Sequence, residues 1–169
     1  ANLSGKEKLV INQAVDAGGV GASSAPDRQE VAGKWTNTTD SIDEITVTTS
    51  SANYNLGETV VLGWDPADTH TTNFWEELAS VNGDGTGGFD TGTFTSKKYL
   101  WVQAYLDPST SARNNFRVGN TTVDGTSSYA NRYNTDGTNE TPVAPQTIVR
   151  PNATSYSTPS FFNMFIINN

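Results

Sequence analysis

The stretch "KYLWVQAYL", Lys98 to Leu106, alternates without a break. Leu100, Val102, Ala104 and Leu106 fall on one side of an extended chain, and Tyr99, Trp101, Gln103 and Tyr105 on the other. A period of two does not suit a helix, whose apolar face recurs every three or four residues. The segment predicts a central strand with one aliphatic and one aromatic face. Similar runs occur at Lys8–Val15, Asp43–Thr49, Glu58–Trp64, Asn73–Ser80, Asn114–Asn120, Ser128–Asn134, Gln146–Arg150 and the closing "SFFNMFIINN". About nine strands follow. Between them lie "NGDGTGG", "DPSTSA", "VDGTSS" and "NTDGTNE", clusters of the Gly, Asn and Asp that tight turns require. This punctuation points to an all-β fold, an antiparallel β-sandwich of the jelly-roll kind. Only Ser24–Gly33 reads as a short helix, with Ser24 as N-cap and Gly33 at its end.

The chain of 169 residues suits a single domain spanning 1–169. A net charge of −8 argues against a nucleic-acid groove, which needs a basic stripe to neutralise phosphates. With no cysteine, the fold rests on packing and hydrogen bonds, and thiolate metal sites are ruled out. No apolar run reaches the roughly 20 residues of a membrane helix, and no signal peptide is recognisable. A start at Ala1 is compatible with processing from a longer precursor.

The closing segment is among the most apolar in an otherwise polar chain, and an unpaired apolar strand recruits other chains. Pairing with the first strand, "KEKLVINQAV", near the middle of a sheet protects it; insertion into a neighbouring subunit is the other solution. In either case alternate residues face the core, and Phe162, Met164 and Ile166 form the more consistently apolar set.

Catalytic chemistry has few residues to draw on. His70 is the single histidine, in "WDPADTHTTN", where Asp65, Asp68 and His70 share a polar turn begun by Asp-Pro. No Gly-x-Ser-x-Gly elbow is present. Glycoside chemistry needs paired carboxylates, and strand alternation puts the neighbours Glu76 and Glu77 on opposite faces, so only one of them can join Asp65. No catalytic residue, metal or cofactor is therefore assigned. "KLVINQAVDAGGVGASS" resembles a dinucleotide loop, but Ser24 stands at the third glycine position, so a flexible loop is expected. "NGDGTGGFDTGT" matches part of a calcium loop through Asn82, Asp84, Thr86, Gly87 and Asp90, yet its twelfth position is Thr93, not Glu; a hairpin tip needs no metal. "NTDGTNE", with Asp136 and Glu140, has a still weaker claim. The Asn-x-Ser/Thr matches at Asn2, Asn37, Asn120, Asn139 and Asn152 follow from composition.

Trp35, Trp64, Trp75 and Trp101, with six tyrosines, are a heavy aromatic load, and most of these indoles are expected in the core. Tyr99, Trp101 and Tyr105 are the exception. Their opposite face is already aliphatic, so they line a second surface, either a glycan groove or a subunit contact.

The succession "GKWTNTTDSIDEI", "VVLGWDPADTHTTNFWEELAS", "GTFTSKKYLWVQAYL", "NNFRVGN" and "SSYANRYNTDGT" resembles the sandwich modules of tailed-phage virion proteins, especially marine phage head-decoration or fibre proteins. The resemblance runs from Gly33 to about Asn139 and consists of strand and turn patterns, without an active-site motif. It implies a non-enzymatic component displayed on the virion surface; the reading that follows is a subunit that self-associates as a homo-oligomer and binds the major capsid or another virion protein, while charge and hydropathy argue against a nucleic-acid or membrane partner. A carbohydrate-binding module and a surface-layer or filament subunit are the other classes the sequence admits.

Overall fold

Strand pairing in the computed structural model, which describes residues 6–16, 27–51, 53–69, 75–135, 139–151, 155 and 158–168, follows the alternation closely. Twelve strands are defined there: β1 (Lys8–Asp16), β2 (Asp27–Trp35), β3 (Glu44–Thr49), β4 (Tyr54–Trp64), β5 (Glu76–Asn82), β6 (Gly88–Thr93), β7 (Tyr99–Pro108), β8 (Asn114–Asn120), β9 (Thr122–Val123), β10 (Tyr129–Thr135), β11 (Asn139–Gln146) and β12 (Ser160–Ile167). They form an eight-stranded sheet, β11-β10-β2-β1-β12-β7-β4-β5, packed on a four-stranded sheet, β6-β3-β8-β9. Every pairing is antiparallel. The pairs β4·β7, β3·β8 and β1·β12 nest one inside the next and fall alternately on the two sheets, the wrapping of a jelly-roll-like sandwich.

The first and last strands lie side by side. Leu9 stands opposite Ile167 and Asp16 opposite Ser160, while the other edge of β12 pairs with β7 from Ser160–Leu106 to Ile167–Tyr99. The closing strand thus completes its own chain's sheet and presents no free backbone. Phe162, Met164 and Ile166 point into the sandwich beside Val10, Ala14, Leu100, Val102 and Leu106, where they meet Ile45, Val47, Phe116 and Val118 of the smaller sheet. A buried aliphatic side chain contributes about 1.5 to 3 kcal/mol, so this layer dominates the stability of the fold.

Four expectations need correction. Residues 27–33 extend as part of β2, and Ser24 lies outside the described residues. Gln29, Val31 and Trp35 all turn inward, a strand periodicity that overrides the helix preference of Gln, Glu and Ala. Gly33 holds the fourth inward position, where a Cβ would stand only 3.2 Å from Val149 Cγ1. Of the "QTIVR" run only Gln146 belongs to a strand; Val149 makes an isolated bridge to Phe116 and plugs the core instead. "NTDGTNE" is not one loop, because Asn139 and Glu140 already belong to β11. Of the four indoles only Trp35 is buried; Trp64, Trp75 and Trp101 are partly exposed.

Sheet edges are blunted by composition. Edge strand β11 carries Pro142 and Pro145, which have no N–H to offer, and edge strand β5 carries the exposed carboxylates Glu76 and Glu77.

Candidate interaction surface

The inward aliphatic rows of β1, β12 and β7 leave their partners on the outer face of the large sheet. Cross-strand register sorts these into rows. Val15, Phe161 and Tyr105 make one row, Ile11, Phe165, Trp101 and Leu62 another, and Leu9, Ile167, Tyr99 and Trp64 a third. A polar row of Gln13, Asn163 and Gln103 separates the first two. Ile11 is 62% exposed, Leu9 49%, Phe165 45% and Phe161 43%. Single exposed apolar side chains are ordinary, but a contiguous field of them marks a surface built for contact.

The predicted stripe of Tyr99, Trp101 and Tyr105 lies within this field. Trp101 stacks on Phe165 with ring centroids 5.4 Å apart and planes 15° apart, Trp75 meets it edge-on at 5.7 Å, and its indole N–H donates to Asn163 Oδ1. Tyr99 stacks on Trp64 at 5.0 Å and 15°, with the Lys98 ammonium 5.5 Å from its ring. Both stacked pairs join residues directly opposite each other on neighbouring strands. Tyr105, opposite Phe161 and Glu58, is 48% exposed. On the β2 and β10 side the face is indented by a cleft of about 320 Å³ lined by Ile11, Gln13, Glu30, Ala32, Arg132 and Asn134.

The residues weighed for chemistry have structural partners. Asp65 and Asp68 close a turn, with Asp65 Oδ1 accepting from the Ala67 amide. Asp68 and Glu76 both pair with Lys97, at 2.9 and 2.8 Å. The two carboxylates raise the Lys97 pKa, Asp68 more strongly. His70 lies outside the described residues. Glu77, opposite Leu62, looks out from the outer face, whereas Glu76 sits opposite Gly63, so the two do part as alternation requires. In the calcium-like stretch, Asp84 Oδ1 accepts from the Thr86 amide and hydroxyl, which lowers its pKa, and Asp90 Oδ1 accepts from the Gly92 amide. The left-handed turn falls on Gly85, at φ 82°, not on Gly87. Asp90 is a strand residue of β6. Among the described residues no three His, Asp or Glu side chains gather as a metal site.

Two buried charged side chains escaped sequence reasoning. Lys8 is fully buried, donating to Asn37 O at 2.8 Å with its ammonium 5.4 Å from the Trp35 ring; desolvation lowers its pKa against the pull of Asp40. Glu44 is buried on β3, and desolvation, then Asp90 and Asp43, raise its pKa. Lys8 holds the inward phase of its run with Val10, Asn12 and Ala14, which was the available signal; Glu44 is out of phase with the inward Ile45 and Val47, so alternation gave no sign of its burial.

Comparison with known protein families, characterised proteins and solved structures finds no match.

Proposed function

We propose that this chain is a non-catalytic subunit of the virion surface, a capsid-decoration or fibre module that buries the outer face of its eight-stranded sheet against a protein of the particle. The observation that carries the assembly role is the pair of adjoining apolar rows through Phe165 and Ile167 on β1, β12 and β7, with a third beyond the polar row, which a domain with no partner has no reason to keep. The sequence resemblance to tailed-phage sandwich modules supplies the virion setting. The commitment of Asp68 and Glu76 to Lys97 favours a structural role for that loop over glycoside chemistry.

A glycan-binding face is the second reading, favoured by the polar row of Gln103 and Asn163 lying among aromatic rings. Sugar stacking uses an open ring face, and the stacking of Trp101 on Phe165 and of Trp64 on Tyr99 commits one face of each ring to a neighbour.

Particles purified from the source of the chain, labelled with an antibody against it and imaged in negative stain, test the proposal. Regular labelling of capsid or tail is expected. Unlabelled particles, together with specific binding of the purified chain on a glycan array, would move the assignment to the second reading.

A further inference from the structure

The outer face carries charge as well as apolar side chains, and register fixes where. One row runs Arg28, Val15, Phe161, Tyr105, Glu58 across β2, β1, β12, β7 and β4. Another runs from Arg132 on β10 through Ala32, Ile11, Phe165, Trp101 and Leu62 to Glu77 on β5. In both, the β12 residue lies midway between the base and the acid; the first row runs on past Glu58 to Asn82 on β5 and the second past Arg132 to Pro142 on β11. Arg28, Arg132, Glu58 and Glu77 are all exposed. Glu30 stands 3.5 Å from Arg28, and Lys34 is paired with Glu7 at 2.8 Å.

We infer that the occupant of this face is a second copy of the chain, packed sheet to sheet about a two-fold axis that lies between the sheets and runs along β12. The inference rests on the proposal that the face is an interface, and adds what covers it. Such an axis exchanges the two ends of every row while keeping the rows in register. Arg28 of one copy then comes over Glu58 of the other and Arg132 over Glu77, with Phe165 against its own equivalent at the centre. A two-fold axis across the strands instead lays the side carrying Arg28 and Arg132 on itself and leaves Glu58 and Glu77 facing their own side, so neither pairing forms. Strand directions stay aligned, as in ordinary sheet-on-sheet packing. The seven strands of the longer row, six spacings of about 4.8 Å, and eight residues at about 3.4 Å give a face of roughly 29 by 27 Å. That is on the order of the 800 Å² that each partner of a stable complex buries.

Sedimentation of the full chain over a concentration series, beside four variants, tests the axis. The wild type is expected as a discrete dimer. Arg28→Glu and Glu58→Arg each place like charges together and should weaken it by about tenfold or more, with melting temperatures unchanged at concentrations where every protein is monomeric. The double variant carrying both changes, and a one-to-one mixture of the two single variants, should each recover the dimer. Arg132→Glu should weaken it as Arg28→Glu does. A wild-type monomer at every concentration, or a dimer indifferent to these charges and to mixing, overturns the second-copy inference. Particle labelling reads the virion role independently, so a monomer that still decorates particles defeats the inference alone.

Discussion

Asn168 pairs its side-chain amide with the backbone of Ile42 as one strand residue pairs with another. Its Oδ1 accepts from the Ile42 amide at 2.8 Å and its Nδ2 donates to the Ile42 carbonyl at 3.0 Å. The same Nδ2 lies 2.9 Å from both Ser96 Oγ and Lys97 O. One buried side chain therefore ties the end of β12 to the segment entering β3 and to the one entering β7. Asn168→Ala strands both groups of Ile42 in the interior, at a cost of about 2 to 4 kcal/mol. Urea unfolding should show it, and Asn168→Asp, which keeps the acceptor but loses the donors, should recover little of the loss.

Trp35 and Asp124 make the fold sensitive to acid. The indole N–H donates to Asp124 Oδ2 at 2.8 Å, and Thr126 donates to Oδ1. Burial works to raise the Asp124 pKa, but hydrogen bonds from Thr126, Trp35 and Ser128 outweigh it and hold the carboxyl below its ordinary 3.8. A depressed folded-state pKa contributes stability above the unfolded value and loses it as pH falls through the folded one. Asp124→Asn should therefore cost about 1 to 2 kcal/mol at neutral pH, and the gap in melting temperature from the wild type should narrow below pH 4. A gap that stays constant down to pH 2 would show that the carboxylate charge contributes nothing.

Glu44 has the opposite sign. Its folded-state pKa is raised, so its ionisation penalty is absent below the unfolded value, grows as pH climbs to the folded one, and is complete above it. Glu44→Gln should raise the melting temperature at pH 7 and lose that advantage as the wild-type carboxyl protonates in acid. Equal melting at pH 7 would mean that a cation or bound water already offsets the charge.

Strand-level structure was readable wherever one face is aliphatic, as in β7 and β12, because burial imposes period two on the residues themselves. It was hidden in β2, where the inward set is mixed, whereas Ser128–Asn134 was read as a strand despite the mixed inward set of β10. The inner face of β2 carries Gln29, Val31, Gly33 and Trp35, and that of β10 carries Tyr129 and Asn131, whose amide donates to Ile148 O. The Tyr129 hydroxyl and the Asn131 amide reach Val118 and Ile148 on other segments, which no local pattern announces. The same holds for the interaction surface. Tyr99, Trp101 and Tyr105 were legible as a stripe, but Leu9, Ile11, Phe161 and Phe165 were not, since an apolar residue at an outward position reads as core until the register is known. The balance of Arg28 against Glu58 needed four strand pairings to appear.

Met164 and Phe165 are neighbours with opposite fates. Met164 is buried at 1% exposure in the middle of the core, whereas Phe165 stands outward, stacked on Trp101. Met164→Ala removes a large side chain from close packing and should cost about 2 to 5 kcal/mol, lowering the urea midpoint sharply. Phe165→Asn forfeits one aromatic contact, about 1 kcal/mol, and should leave the fold intact. Association should behave the other way round. At concentrations and temperatures where both variants remain folded, Met164→Ala should still form the dimer, because the outer face is untouched. Phe165→Asn should be monomeric, because it places an amide on the axis where two rings meet. Measured together by sedimentation and urea unfolding, the pair separates core from interface within a single strand. A Phe165→Asn protein that associates as tightly as the wild type would remove the outer face from the account of how this chain assembles.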